Sequence, residues 1–494
     1  MTGQRRTSAV AVAARPWVPT AAWAAVLFAL GLVRMLVPRA VGLADDGSGA
    51  RLACRLGVAP EGEVRYFAFA VFRYVADDDA SCASGTPPPW PQHAGLLLAR
   101  LVSTTLGAGA LDLRVAVVAY CALAAVTAAL VGALARRRRH ARAVTTVLTW
   151  LLLVDSAFAG YAASLYPQAA GITGLLLTVT GWLLLEAAGP ARWVGRAALT
   201  LGAAVLVSSG PVAALAVVPL GVALLLRARA SARARARDRA AWLAPAALTV
   251  ALTTLAAGAV AGVDPTQRRY DTWDYVSTGV LADTDRPGPE LAAMGLPADA
   301  ERFLGIPVWS PASIRGWDRW PDVDPDPLRV QGYVLSHPAV LHDRLDHAVR
   351  AMGEGRPASL GSYDAGTARP GEQERRVTLF SSRQDQLLAF GLPVAVLLGA
   401  VLTWLALVVT RSPVHGADAR RLASGALLLL GVAVSQVAGT ALTEATDAGR
   451  HVVVGSLAGL LALCLLVAAG LTSRALDASA RPEVARPEAA RASA

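Results

Sequence analysis

The chain has 494 residues, of which 54% are hydrophobic and only 17% charged, where soluble proteins carry about 25% charged residues. That composition excludes intrinsic disorder, a collagen-like fibre and a small disulfide scaffold, and leaves a polytopic membrane protein. The formal charge of +10 is carried by arginine, for there is no lysine. A lysine-dependent phosphate loop and a Schiff base are therefore excluded, and the arginines sit where membrane topology, rather than nucleic acid, explains them.

A bilayer span needs about 20 mostly apolar residues. Segments near 17–38, 113–135, 143–163, 168–188, 240–262, 388–410, 422–442 and 451–473 meet that need. The longer apolar stretch 196–226 is broken by Ser208, Ser209, Gly210 and Pro211 and reads as a hairpin of two short helices. The expected fold is an all-α polytopic bundle of about ten transmembrane helices. With that count, Arg5, Arg6, Arg15, Arg136 to Arg139, Arg142, Arg192, Arg196, the 227–239 run, Arg411, Arg420, Arg421 and the C-terminal arginines all fall on one side. Short loops on the other side carry only Arg450. The positive-inside rule makes the arginine-rich side cytoplasmic, with both termini inside a plasma-membrane protein and a first span that is retained rather than cleaved as a signal peptide.

The chain then divides into an N-terminal bundle (1–262) with an extracytoplasmic first loop (39–112), a small extracytoplasmic domain (263–387) between spans seven and eight, C-terminal spans (388–473) and a disordered cytoplasmic tail (474–494). Cys54 and Cys82 share the first loop, where an oxidising environment favours a disulfide; Cys121 and Cys464 lie inside spans.

Just after the first span, ADDGSGARLAC places Asp45 and Asp46 near the membrane surface. Paired carboxylates there can take a proton from an acceptor hydroxyl or hold a divalent cation such as Mg or Mn beside a phosphate; the competing reading is a solvated turn. Arg51, in the same segment, is a candidate substrate contact. Residues 92–108 have the spacing of an amphipathic helix lying in the interface. Asp155 stands within an apolar segment, which makes it a functional candidate by default, while Tyr161, Tyr166 and Gln168 put polar groups at the same rim. Trp317 and Trp320, in WDRWP, have the aromatic and charged pattern that stacks on sugars, although tryptophans in a small domain are more often its core. Three histidines, His337, His342 and His347, recur every five residues and scatter around a helix, which argues against zinc. Arg450 and His451 open the last span: a phosphate grip and a surface ion pair with Glu444 or Asp447 are equally good readings.

The order of these parts resembles the GT-C superfamily of integral-membrane glycosyltransferases, and more narrowly an actinobacterial branch of glycan-biosynthesis hexose transferases. The resemblance is carried by ADDGSGARLAC (44–54), GLLLARLVSTTLGAGALDLRV (95–115), YAASLYPQAA (161–170), PELAAMGLPADAERFLGIPVW (289–309), GYVLSHPAVL (332–341) and AGRHVVV (448–454). It implies a polyprenyl-phosphate sugar donor, a glycan, lipid or protein acceptor on the outer face, and a base or metal ligand at Asp45 or Asp46. One departure is Gln168, following Pro167 where a glutamate is expected. The alternatives are a transporter or flippase of lipid-linked sugars, for which paired repeats would be expected, and a non-catalytic scaffold for envelope assembly.

Overall fold

A computed structural model describes residues 18–77, 90–135, 139–234, 240–282, 284–308 and 325–472. Helix α1 (Val18–Leu36) enters a first loop built from α2 (Ala50–Arg55), β1 (Val58–Pro60), β2 (Arg73–Ala76), α3 (Ala94–Thr105) and β3 (Leu111–Asp112). The strands form a small antiparallel sheet, β1-β2-β3, with Val58 opposite Ala76 and Arg73 opposite Asp112. Strands of two to four residues leave no readable alternation, so the sheet is invisible in the sequence. Helix α3 forms within the 92–108 segment and is amphipathic: Leu98 and Leu101 are exposed while Ala99 and Ser103 are buried. Ser103 Oγ accepts the Asp112 N–H at 2.9 Å and Asp112 in turn caps the next helix, so the sheet, α3 and the bundle meet at one point.

The bundle continues with α4 (Leu113–Leu134), α5 (Arg139–Leu153), which bends by 46° into α6 (Ser156–Ala159) and a 3-10 turn, then α7 (Pro167–Leu184), α8 (Pro190–Ser208), α9 (Pro211–Ala214), α10 (Val217–Ala234) and α11 (Ala240–Ala261). After an outer segment comprising α12 (Pro265–Asp274), α13 (Pro287–Ala293), α14 (Pro327–Ser336), α15 (Pro338–Glu354) and α16 (Leu379–Leu388), it closes with α17 (Leu392–Arg411), α18 (Ala417–Thr443) and α19 (Ala448–Thr472). Eight helices among the described residues are long and apolar enough to cross a membrane, and the bent pair α5–α6 makes a ninth. The expected tenth is α8, less apolar because Arg192 and Arg196 lie in its first turns. The break at Ser209–Gly210 is where the sequence puts it. Helix α19 is the axis of the bundle, with 78% of the residues in its apolar stretch buried against 6% for α17, which packs on α18 and leaves Val396, Leu397, Val401 and Trp404 exposed.

Helices α7 and α8 approach so closely that side chains have no room between them. A Cβ on Gly181 would lie 2.3 Å from the Leu199 backbone nitrogen, and one on Gly174 2.6 Å from that of Leu206; Gly195 and Gly202 answer from the other side. The constant sum of the paired positions makes the helices antiparallel. In lipid, where burial of apolar surface gives little between helices, such close backbone approach is a main source of association.

The outer segment is not one body. Trp273, Tyr275, Leu291, Met294 and Tyr333 form a cluster with Ala445 of the turn between α18 and α19, and α15 packs on α18 and α19. Residues 355–377 are a strap stitched into the first loop: Gly42 N–H donates to Ser362 O at 2.9 Å, Ala44 N–H to Gly361 O at 2.8 Å and Ala70 N–H to Tyr363 O at 2.9 Å. Beneath the strap, wholly buried Glu374 accepts from the Tyr363 hydroxyl at 2.5 Å and Arg376 Nε at 2.9 Å, and Arg34 of α1 lies 3.6 Å away. Trp309, Trp317 and Trp320 lie outside the described residues.

The glycine contact yields a first test. Gly181→Val forces α7 and α8 apart and should lower the stability of the purified protein by about 1–3 kcal/mol, read as a fall in its melting temperature in detergent; an unchanged melting temperature would refute the contact.

Candidate functional site

The site lies where the first loop, the start of α7, the end of α12 and the turn between α18 and α19 converge. Asp45 and Asp46 leave the backbone next to one another yet serve opposite sides. Asp46 Oδ1 accepts the Ser48 N–H at 2.9 Å, and its Oδ2 pairs with Arg450 Nη1. The same guanidinium reaches Asp447 through Nη2 at 2.8 Å and Ser48 Oγ at 3.2 Å. It lies 5.0 Å above the Tyr166 ring, a cation–π distance. Tyr166 also holds the backbone of the loop, its hydroxyl donating to Ala44 O and accepting the Asp46 N–H, both at 2.9 Å. Of the two readings of Arg450 drawn from the sequence, the ion pair with Asp447 is present, joined by one with Asp46, and these two carboxylates occupy both Nη groups that a phosphate grip would use. Its Nε is buried with no partner.

Asp45 is different. Its Oδ1 accepts the Gly47 N–H at 2.9 Å and the Gly49 N–H at 3.0 Å, while Oδ2 takes no hydrogen bond from the described residues. A Cβ on Gly49 would lie 2.6 Å from Oδ2, so glycine is required for the turn to wrap the carboxylate. Burial pushes the Asp45 carboxyl up, and its two backbone donors only partly offset this. Asp46 is also buried, but Arg450 and Ser48 outweigh the burial and hold its carboxyl below the usual range. The pair thus divides into a more basic and a less basic member, as two close carboxylates should.

Around Arg450 stands an acidic wall that sequence reasoning missed in part. Asp271 and Asp274 of α12 flank Trp273; Asp274 accepts from Val308 N–H at 2.9 Å and from Thr446 Oγ1 at 2.8 Å. Burial pushes Asp271 up to about 6, with Arg51 and Arg450 pulling the other way. Glu444 is raised well above the usual range by burial and by Asp271, and its Oε1 lies 3.4 Å from His451 Nδ1. The readable signal was the spacing of Asp271 and Asp274, one helical turn apart just beyond span seven, which echoes Asp45 and Asp46 just beyond span one.

Arg51 is exposed on α2 and makes no hydrogen bond or ion pair with the described residues; it faces Asp271 electrostatically. Gln168, at the start of α7, is buried with Oε1 unpartnered. Asp155 is elsewhere engaged: fully buried, it accepts from Ala157 N–H, Phe380 N–H, Ser381 N–H and Ser381 Oγ at 2.7–3.1 Å, and so caps α6 and α16 together. The carboxylate that looked functional from its membrane depth is saturated by backbone. Asp45 and Asp46 do not by themselves fit a divalent cation. Their Oδ1 atoms are taken by backbone N–H groups and Asp46 Oδ2 by a guanidinium, and among the described residues no group of three or more His, Cys, Asp or Glu is arranged to hold a metal. Cys54 is disulfide-bonded; Cys82, its expected partner, lies outside the described residues, and Cys121 and Cys464 are free and buried.

A multi-helix membrane bundle with a polar site at one end is the class these features define. The model of the YfdI N-terminal transmembrane domain family matches residues 12–481, and the chain belongs to that family. Neither the curated proteins nor the solved structures contain a match.

The raised carboxyls set a pH dependence. Asp271 holds its proton up to about pH 6 in the folded chain against the ordinary 3.8, so between these values the folded state binds more protons than the unfolded one. Stability from this group is present at low pH and is lost as pH rises through that window. The melting temperature should therefore rise from about pH 7 to about pH 5, and Asp271→Asn should flatten the rise. An identical pH profile for the variant would count against the assignment.

Proposed function

We propose that the chain is a membrane glycosyltransferase of the GT-C type, moving a sugar from a polyprenyl-phosphate donor to an envelope glycan, lipid or protein acceptor. The observation that carries this reading is the division of labour at 45–46: one carboxylate fixed by Arg450, the other basic and with an oxygen free. In the transfer step the acceptor hydroxyl gives its proton to Asp45 as its oxygen bonds to the sugar's anomeric carbon. The bond from that carbon to the phosphate oxygen breaks, and polyprenyl phosphate leaves with the electron pair. Arg51, exposed and without a hydrogen bond or ion pair among the described residues, supports the reading as the group that meets the charge developing on the phosphate. Arg450 is mainly a positioning residue, because its two Nη groups are already committed to Asp46 and Asp447. Tyr166, Gln168 and His451 line the same end of the bundle.

Asp45→Asn should reduce transfer of labelled sugar from a polyprenyl-phosphate donor in proteoliposomes by about 10²–10⁴-fold, with the melting temperature preserved. Wild-type rates in this variant would overturn the role of Asp45. Absence of transfer from every such donor by the wild-type chain would overturn the enzyme reading. Arg51→Ala should instead lower kcat, by less than Asp45→Asn, because it removes charge that acts as the phosphate leaves.

A second reading, translocation of a lipid-linked sugar, draws on Gln436 Oε1 and Thr440 Oγ1, which are buried within the bundle without partners beside the α8–α9 break. A flipping assay with a fluorescent lipid-linked sugar separates the two, since an Asp45→Asn variant would flip normally. The site end is assigned to the extracytoplasmic side, with both termini cytoplasmic, on the arginine distribution. Reporters fused after Arg237 and after Arg315 should therefore give opposite signals, and equal signals would reverse that assignment.

A further inference from the structure

Asp45 turns away from Arg450, and behind it the first loop encloses a cavity of about 160 Å³ between α2 and the small sheet. Its lining includes Asp45, Ala53, Val58, Tyr66, Asp77 and Leu165, with the disulfide-bonded Cys54. The lining is thus largely apolar, with two carboxylates and the ring of Tyr66 among it. An apolar cavity of about 150 Å³ is large enough for one six-membered benzene ring, so this space suits one ring and not a chain.

The segment carrying Tyr66 is held in an unusual way. Tyr66 and Phe67 are both about half exposed, and Phe67 has φ 64°, the only non-glycine residue with left-handed backbone among those described. A bulky residue in that region is strained and persists only when its surroundings impose it. Here the imposing contacts are the Phe67 N–H to Asp45 O at 2.8 Å and the Gly361 N–H of the strap to Phe67 O at 2.9 Å. The backbone that carries Asp45 therefore also fixes Tyr66, which lines the cavity, through its neighbour Phe67.

We propose that this cavity is the acceptor subsite and binds one neutral saccharide ring, whose carbon face packs on the apolar lining and the Tyr66 ring while a hydroxyl donates to Asp45 Oδ2. An apolar ring lacking hydroxyls would cover Oδ2 without pairing it, at a cost that disfavours it. The donor phosphate and the acceptor ring then approach from the two sides of residues 45–46, Arg450 and Arg51 on one and the cavity on the other. This rests on the glycosyltransferase reading for its role in transfer but not for binding itself.

The test is saturation-transfer NMR on the full chain, purified in a detergent without a sugar headgroup, with the methyl pyranosides of glucose, galactose and mannose as probes. At least one should receive saturation. Ala53→Phe and Ala59→Phe, which fill the cavity, should each weaken that glycoside at least about tenfold, with melting temperatures checked alongside. Asp45→Asn should weaken it as well and decides the matter if both filled variants fail to fold. No binding of any probe by the wild-type chain, or wild-type affinity in a folded cavity-filled variant or in Asp45→Asn, would overturn the proposal. Sugar transfer without glycoside binding would sink the subsite alone; glycoside binding without transfer from any donor would sink the transferase reading alone.

Discussion

One guanidinium ties the outer end of this molecule together. Arg450 is rooted in the most buried helix of the bundle, and from there it reaches back to Asp46 just beyond the first helix and sideways to Asp447 in the turn before it. At 11% and 15% exposure, Arg450 and Asp46 are largely out of water. A pair of this kind adds little net stability over an apolar pair, whereas removal of one partner costs about 3–5 kcal/mol. Its value is therefore in placement: it fixes where the 45–49 turn sits relative to the membrane axis, and that turn sets the direction of Asp45.

The spans were legible because lipid imposes a length and a composition that soluble folds do not. The hairpin at Ser209–Gly210, the amphipathic helix and the groups at Asp45, Asp46, Tyr166 and Arg450 were all readable as residues. Their convergence was not, because it depends on how helices far apart in sequence pack. Asp155 marks the limit of reading depth as function: it lies where a carboxylate is costly, and the chain offsets that cost with two helix N-termini rather than a ligand. Asp271 went unseen, and Glu444 was read only as a surface partner of Arg450, for the opposite reason, since carboxylates in a polar loop look ordinary until the fold buries them. The glycines at 174, 181, 195 and 202, seven apart on each helix, carried a pattern that hydropathy alone averages away.

The first loop and the strap at 355–377 were beyond reach of any pattern, because they recognise each other through backbone. Gly42, Ala44 and Ala70 donate N–H groups to carbonyls of the strap, and no side chain announces the pairing. Gly361 allows the approach, since a Cβ there would lie 2.1 Å from Ala68 O. Beside these backbone bonds, the side chains whose chemistry can be matched in advance are ionic, Arg34 and Arg376 with Glu374 and Arg39 with Glu372.

That pairing has a consequence for biogenesis. Arg376 reaches the Val37 carbonyl across 339 residues of chain, so when the first loop leaves the ribosome and translocon its partners have yet to be synthesised. Until the strap arrives, the Gly42, Ala44 and Ala70 amides have only water, and Phe67 keeps only its bond to Asp45 O to hold its strained conformation. Closing so distant a contact is entropically slow compared with local helix formation. The cavity beside Asp45 is accordingly among the last parts of the molecule to mature, after most of the helices are in the bilayer, and a nascent chain truncated before residue 355 would display every candidate acid of the first loop without the frame that aims them.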